Sequence, residues 1–136
     1  MSLLEKKYKA LDFFKLSKEY LYGSKESLKV GLARLAVYTG YHSLELSLRG
    51  LLILKKERLP RSSIGILNSF WKLYPEAKKL PKTSMRNLYW AFNKSKEATG
   101  RFDVEIKRKD GINVIKIASF LQKSLGEKIK VFEGQQ

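Results

Sequence analysis

The chain has 136 residues, no cysteine, a single histidine (His42), and 28 Lys plus Arg against 13 Asp plus Glu, a formal net charge of +15. That length supports one self-sufficient hydrophobic core, and the lack of cysteine with only one histidine excludes the usual zinc and iron–sulfur ligand sets. A positive field of this size draws nucleic acid, anionic lipid or an acidic protein.

Three prolines (Pro60, Pro75, Pro81) and few interior glycines predict long helices. The opening "MSLLEKKYKALDFFK" has charges interrupting every apolar run, so a signal peptide is not expected. Helix one is predicted from Leu3 to Tyr22, with Leu4, Tyr8, Leu11, Phe14, Lys15, Lys18 and Leu21 at helical spacing and Gly23 as its stop. Ser24 then reads as the N-cap of helix two, which is expected to run to about Glu57. The stretch from Leu28 to Leu54 carries Lys29, Arg34, His42, Glu45 and Arg49, too polar for a membrane span. A third helix is predicted from Ser62 or Ser63 to before Pro75, and a fourth from Thr83 or Ser84 to near Gly100. "RFDVEIKRK" follows as a loop, Asp110 is read as the cap of a fifth helix from Gly111 to about Leu125, and 128–136 is expected to be a loose tail. No repeat or linker divides the chain. The expectation is one domain over 1–136: an all-α, up-and-down four-helix-type bundle with an additional short helix, built around helix two.

Helix two has two faces. Ala36, Gly40, Ser43, Ser47 and Gly50 fall on one strip at 100° per residue, where small side chains admit a neighbouring helix closely. Two interior glycines cost about 1 kcal/mol each in helix propensity, which tight packing would offset. Arg34, Tyr38, Tyr41, Glu45 and Arg49 fall on the opposite side, with His42 at its edge. This polar, aromatic stripe suits a groove or an interface rim. Glu45 and Arg49 stand in the favourable i,i+4 order.

Positive charge gathers in three loops: Lys55, Lys56, Arg58 and Arg61; Lys78, Lys79 and Lys82; and Lys107, Arg108 and Lys109. If the fold brings them together they form a phosphate-binding surface. Trp71, Tyr89, Trp90 and Phe92 are either core or stacking platforms for bases.

"ARLAVYTGYHSLELSLRGLLILKKERLP" resembles the second helix of the HEPN domain (higher eukaryotes and prokaryotes nucleotide-binding), in its small stand-alone archaeal and bacterial branch, with Glu45 and Arg49 matching that family's Glu-x-x-x-Lys/Arg pair. "LPRSSIGILNSFWKLY" is similar to the following Pro–His–Ser-like turn and third helix, with Ser62 or Ser63 where a His is common. "YWAFNKSKEATGRFDVEI" and "INVIKIASFLQKSL" resemble the fourth helix, the aspartate–aromatic turn and the last helix, so that the likeness covers residues 28 to 125. It implies a homodimer and a small nucleotidyltransferase partner, in a toxin–antitoxin or defence-like system.

Nuclease members of that family use Arg-x(4–6)-His near the end of the fourth helix. The corresponding region here holds Lys94, Lys96, Glu97, Arg101, Phe102 and Asp103, with no histidine after them. Metal-free RNA cleavage needs a base for the 2′-hydroxyl and a donor for the leaving oxygen, roles that imidazole fills and Lys or Arg does not. His42 and Arg101 are therefore the remaining catalytic candidates, and His42 fits a helix-interface role better. The expected function is a HEPN-like module that binds RNA, a nucleotide or a partner protein without nuclease activity. The alternatives are an active metal-independent ribonuclease toxin and an unrelated basic nucleic-acid-binding protein. No cofactor or metal is expected, and the chain is expected in the cytoplasm, off the membrane.

Overall fold

The computed structural model describes residues 1–56 and 58–134, and no strand occurs among them. Five α-helices form: α1 (Leu3–Lys29), α2 (Ala33–Ile53), α3 (Ser63–Leu73), α4 (Met85–Gly100) and α5 (Arg108–Gly134). Two short 3-10 helices, Pro75–Lys79 and Pro81–Thr83, join α3 to α4. The expected end of helix two near Glu57 lies outside the described residues.

Contacts fix the helix directions. Ser17 meets Ser43 and Ser24 meets Ala36, so α1 and α2 are antiparallel. Gly40 faces Val114 and Gly50 faces Leu125, so α5 runs parallel to α2. Arg34 meets Ala98 while Tyr41 meets Phe92, so α4 opposes α2. The chain is thus an up-and-down bundle of α1, α2, α4 and α5, with α3 as the additional short helix.

The first break differs from the sequence expectation. Gly23 and Ser24 stay inside α1, and the Ser24 hydroxyl donates to the Ala36 carbonyl (2.6 Å) instead of capping a new helix. The chain turns at Gly31, whose φ of +82° suits a residue without a Cβ. Leu32 N–H bonds to Ser27 O (2.9 Å) and Gly31 N–H to Leu28 O (3.1 Å), the paired closure of a helix ending at a left-handed glycine.

The other starts follow their capping residues. Ser2, Ser62 and Ser84 accept from the backbone N–H groups of Glu5, Gly65 and Asn87, respectively. Asp110 is not the cap of α5, which begins two residues earlier. Its carboxylate reaches back to the Lys107 N–H (2.9 Å), as the third helical residue does in a capping box. Nor is there a loose tail up to residue 134. α5 continues through Gly134, with Ile129 buried and Phe132 packed against the core.

The small strip of α2 lies where two helices close on it. Ala36, Gly40, Ser43, Ser47 and Gly50 are all buried. A Cβ added at Gly40 would stand 2.9 Å from Ser24 Oγ and 3.0 Å from Val114 Cγ1, and one at Gly50 2.6 Å from Leu125 Cδ2. Ser17 completes the seam. Its hydroxyl lies 3.1 Å from Ser43 Oγ and 2.8 Å from Ser47 Oγ, and accepts from Gln122 Nε2 (3.0 Å). Ser43 donates to the Ser17 carbonyl (2.8 Å). With Ser47 donating to Ser17 and Ser17 to Ser43, each hydroxyl has a partner for its proton. Around this network sit Leu44, Leu48, Leu52, Leu88, Leu121 and Leu125, all essentially inaccessible.

Candidate functional site

The stripe Arg34, Tyr38, Tyr41, Glu45 and Arg49 is divided by the fold. Arg34 is used structurally: its guanidinium donates to the carbonyls of Glu97, Ala98 and Arg101 at the end of α4, and to Val104 in the next loop. A fixed cation there satisfies carbonyls that the helix leaves open. Tyr41 is buried against Phe92 of α4, with ring centroids 5.9 Å apart. Its hydroxyl has no hydrogen-bond partner of normal geometry, and neither does Glu45 Oε1. The other oxygen of Glu45 is 3.8 Å from Arg49 Nη2, a loose ion pair. Burial and the neighbouring Glu45 carboxylate push the Tyr41 phenol above its ordinary value, partly offset by the Ser63 side chain and Arg49. Only Tyr38 of the five is exposed.

His42 lies between two tyrosines on the α1–α2 face. Tyr20 stacks on it at 5.2 Å and Tyr38 meets it edge-on at 4.7 Å. Arg101 is engaged elsewhere: Nε and Nη2 reach both carboxylate oxygens of Asp103, at 3.2 and 3.1 Å. That hydrogen bonding holds the Asp103 carboxyl below the usual carboxylate range. The two catalytic candidates thus have separate neighbours and form no paired acid and base. No group of His, Asp and Glu among the described residues is arranged to hold a metal ion.

The three basic loops do not converge. Arg108 donates to the Leu28 carbonyl, which sets Lys107, Arg108 and Lys109 beside the α1–α2 turn. Lys55 lies past the other end of α2, about 30 Å away by the rise of a helix of that length. There Tyr74 gathers charge: Lys55 Nζ is 4.0 Å and Lys128 Nζ 5.8 Å from its ring centre. The Tyr74 hydroxyl donates to Leu51 O (2.6 Å), which fixes the ring. Lys78 and Lys79 follow in the first 3-10 helix, and Lys82 Nζ lies 5.4 Å from the centre of the Phe120 ring. Lys82 then joins Arg86 and Lys116 around one cavity. Glu76 is the acid inside this tract. Lys56 flanks it at the end of α2, while Arg58 and Arg61 are exposed on the way to α3.

Arg86, Lys116 and Lys128 were not singled out from the sequence, because each is an isolated cation in a helix. One signal was present: Arg86 and Trp90 stand at i,i+4 on a helix just after its cap. The aromatic residues separate as well. Trp71 is core, its Nε1–H donating to Thr83 O (2.9 Å), and Tyr89 tilts against it. Trp90 is half-buried. No helix among the described residues is long and apolar enough to cross a membrane. No family model matches the chain, and no curated protein matches it.

Proposed function

We propose that this chain is a HEPN-like helical module that binds RNA or a similar polyanion without metal-free cleavage, beside a partner protein in a toxin–antitoxin or defence-like system. The observation that carries the binding is the basic tract from Tyr74 to the start of α4. Lys55, Lys78, Lys79, Lys82, Arg86, Lys116 and Lys128 all belong to it, and none is paired with a carboxylate among the described residues. Cations without a carboxylate partner keep their charge available to displace counterions from a phosphate chain. The absence of cleavage is supported by His42 packed between Tyr20 and Tyr38, and by Arg101 engaged with Asp103. The helix order and the Glu45–Arg49 pair support the family reading.

Anisotropy with a labelled single-stranded RNA across a salt series tests this. Each phosphate neutralised steepens log affinity against log salt by about 0.7. The triple variant Lys78→Glu, Lys79→Glu, Lys82→Glu is expected to weaken binding and flatten that slope more than Lys107→Glu, Lys109→Glu. Equal losses would remove the tract as the binding surface. RNA incubated with the protein should stay intact. Should it be cut, and His42→Ala abolish the cutting with the fold preserved, the catalytic reading replaces this one.

A further inference from the structure

The start of α4 and the middle of α5 flank an open cavity of about 640 Å³, lined by Pro81, Lys82, Arg86, Trp90, Asn113 and Lys116 among others. That volume falls within the range of small-molecule sites. Three cations face it and no carboxylate lines it. None of Lys82, Arg86 and Lys116 is ion-paired among the described residues. Three like charges around one cavity repel each other, an arrangement that an anion relieves.

Trp90 gives the cavity a second character. It packs partly against the core, and its indole has neither a ring partner nor a hydrogen bond on its N–H among the described residues. Trp71, by contrast, has both. The amides of Asn87 and Asn113 line the same space, and the Asn87 Nδ2 donates to the Pro81 carbonyl. The Asn113 amide has no such bond among the described residues. A planar, π-rich surface, a fork of cations and a free amide are the elements that recognise a nucleotide: ring, phosphate and base edge.

We infer that this cavity is a single-nucleotide site, with the base on Trp90 and the phosphate held by Lys82, Arg86 and Lys116. The inference deepens the polyanion reading, and rests on it, by giving one unit of the ligand a defined seat. The nucleotide is either free or the phosphorylated end of a strand, since the chemistry is shared.

AMP and UMP titrated at low salt, followed by calorimetry and indole emission, test it. One nucleotide per chain is expected, with quenching of Trp90. Adenosine and inorganic phosphate should each bind at least about tenfold more weakly, since each lacks half of the contacts. Arg86→Ala and Lys116→Ala should each weaken AMP by about tenfold, the usual size for a charged hydrogen bond. Both side chains are exposed, so these variants retain the fold even if Trp90→Leu, which should remove the quenching, does not. AMP that fails to saturate, that binds no better than phosphate, or that ignores Arg86→Ala and Lys116→Ala overturns the site. Because Lys82, Arg86 and Lys116 also belong to the RNA tract, competition with AMP that is stronger for a 5′-phosphorylated RNA than for the same RNA with a 5′-hydroxyl identifies the strand end as the ligand, and equal competition identifies the free nucleotide; both support the site. RNA binding without AMP binding defeats the site and leaves the polyanion reading standing. AMP binding without RNA binding does the reverse.

Discussion

Tyr41 and Glu45 show what a buried polar group costs when its partner is missing. The Tyr41 ring is in the core, and neither its hydroxyl nor Glu45 Oε1 has a hydrogen bond of normal geometry, the Ser63 side chain being the one polar neighbour that favours the ionised phenol besides Arg49. An unsatisfied buried polar group costs about 1–3 kcal/mol. Tyr41→Phe removes that group while keeping the ring against Phe92, so it is expected to leave stability at pH 7 unchanged or raised. The same burial sets a pH dependence. The phenol is raised in the folded chain, so above the ordinary tyrosine value of about 10 the unfolded chain ionises first and holds fewer protons. Stability therefore falls as pH rises beyond that point, by up to about 1.4 kcal/mol per unit for this one group. Thermal melts should show Tyr41→Phe losing less stability above pH 10 than the parent does. A parallel decline in both would mean that the Tyr41 hydroxyl titrates normally.

At the scale of helices, the seam between α1, α2 and α5 depends on atoms that are absent. Gly40 and Ser47 sit where two other helices leave no room for a branched side chain. Gly40→Leu and Ser47→Leu should each lower stability by about 1–3 kcal/mol or more through overpacking. Unchanged melting temperatures in both would place the seam elsewhere. This strip was legible in the sequence because small residues at helical spacing have one common use. The partner face on α1 was not. Leu4 and Tyr8 carried the apolar periodicity yet are exposed; Leu21 from the same series is buried, but Ala10, Ser17 and Ser24, which lay outside it, are buried as well. Hydrophobic pattern alone misplaces a face built from hydroxyls that bond one another. The same blindness moved the end of helix one, since Gly23 and Ser24 look like a stop and a cap. The decisive glycine was Gly31, and the left-handed turn there is fixed by hydrogen bonds to Ser27 and Leu28 that a local reading does not contain. In the candidate site, the loop lysines were legible as clusters. Their separation by the length of α2, and the place of Arg86 and Lys116 beside Trp90, depend on how helices far apart in the chain lie side by side.

For the whole molecule, the charge that favours a polyanion opposes self-association, and the two effects respond oppositely to salt. One exposed face is apolar. Leu16 and Tyr20 on α1, with Leu35 and Tyr38 on α2, are exposed, and the two tyrosine rings flank His42. Leu35 and Tyr38 continue into a groove of about 540 Å³ lined also by Leu32, Ala98 and Ile106. From the helix-two stripe, Tyr38 is the residue that lies on this face, since Arg34 is spent on α4 and Tyr41 is covered. Two chains of +15 repel at low ionic strength, and the repulsion is screened once the Debye length shrinks to about 10 Å near 0.1 M salt. Apolar contact across the α1–α2 face is not weakened by salt. Light scattering at tens of micromolar is therefore expected to show more dimer as salt rises, over the range in which RNA affinity falls. Tyr38→Lys adds a charge to the centre of that face and should give a monomer at every salt concentration, with RNA binding intact because the basic tract lies elsewhere. A parent that remains monomeric at high salt, or a Tyr38→Lys variant that dimerises as the parent does, would show that this face is not the interface.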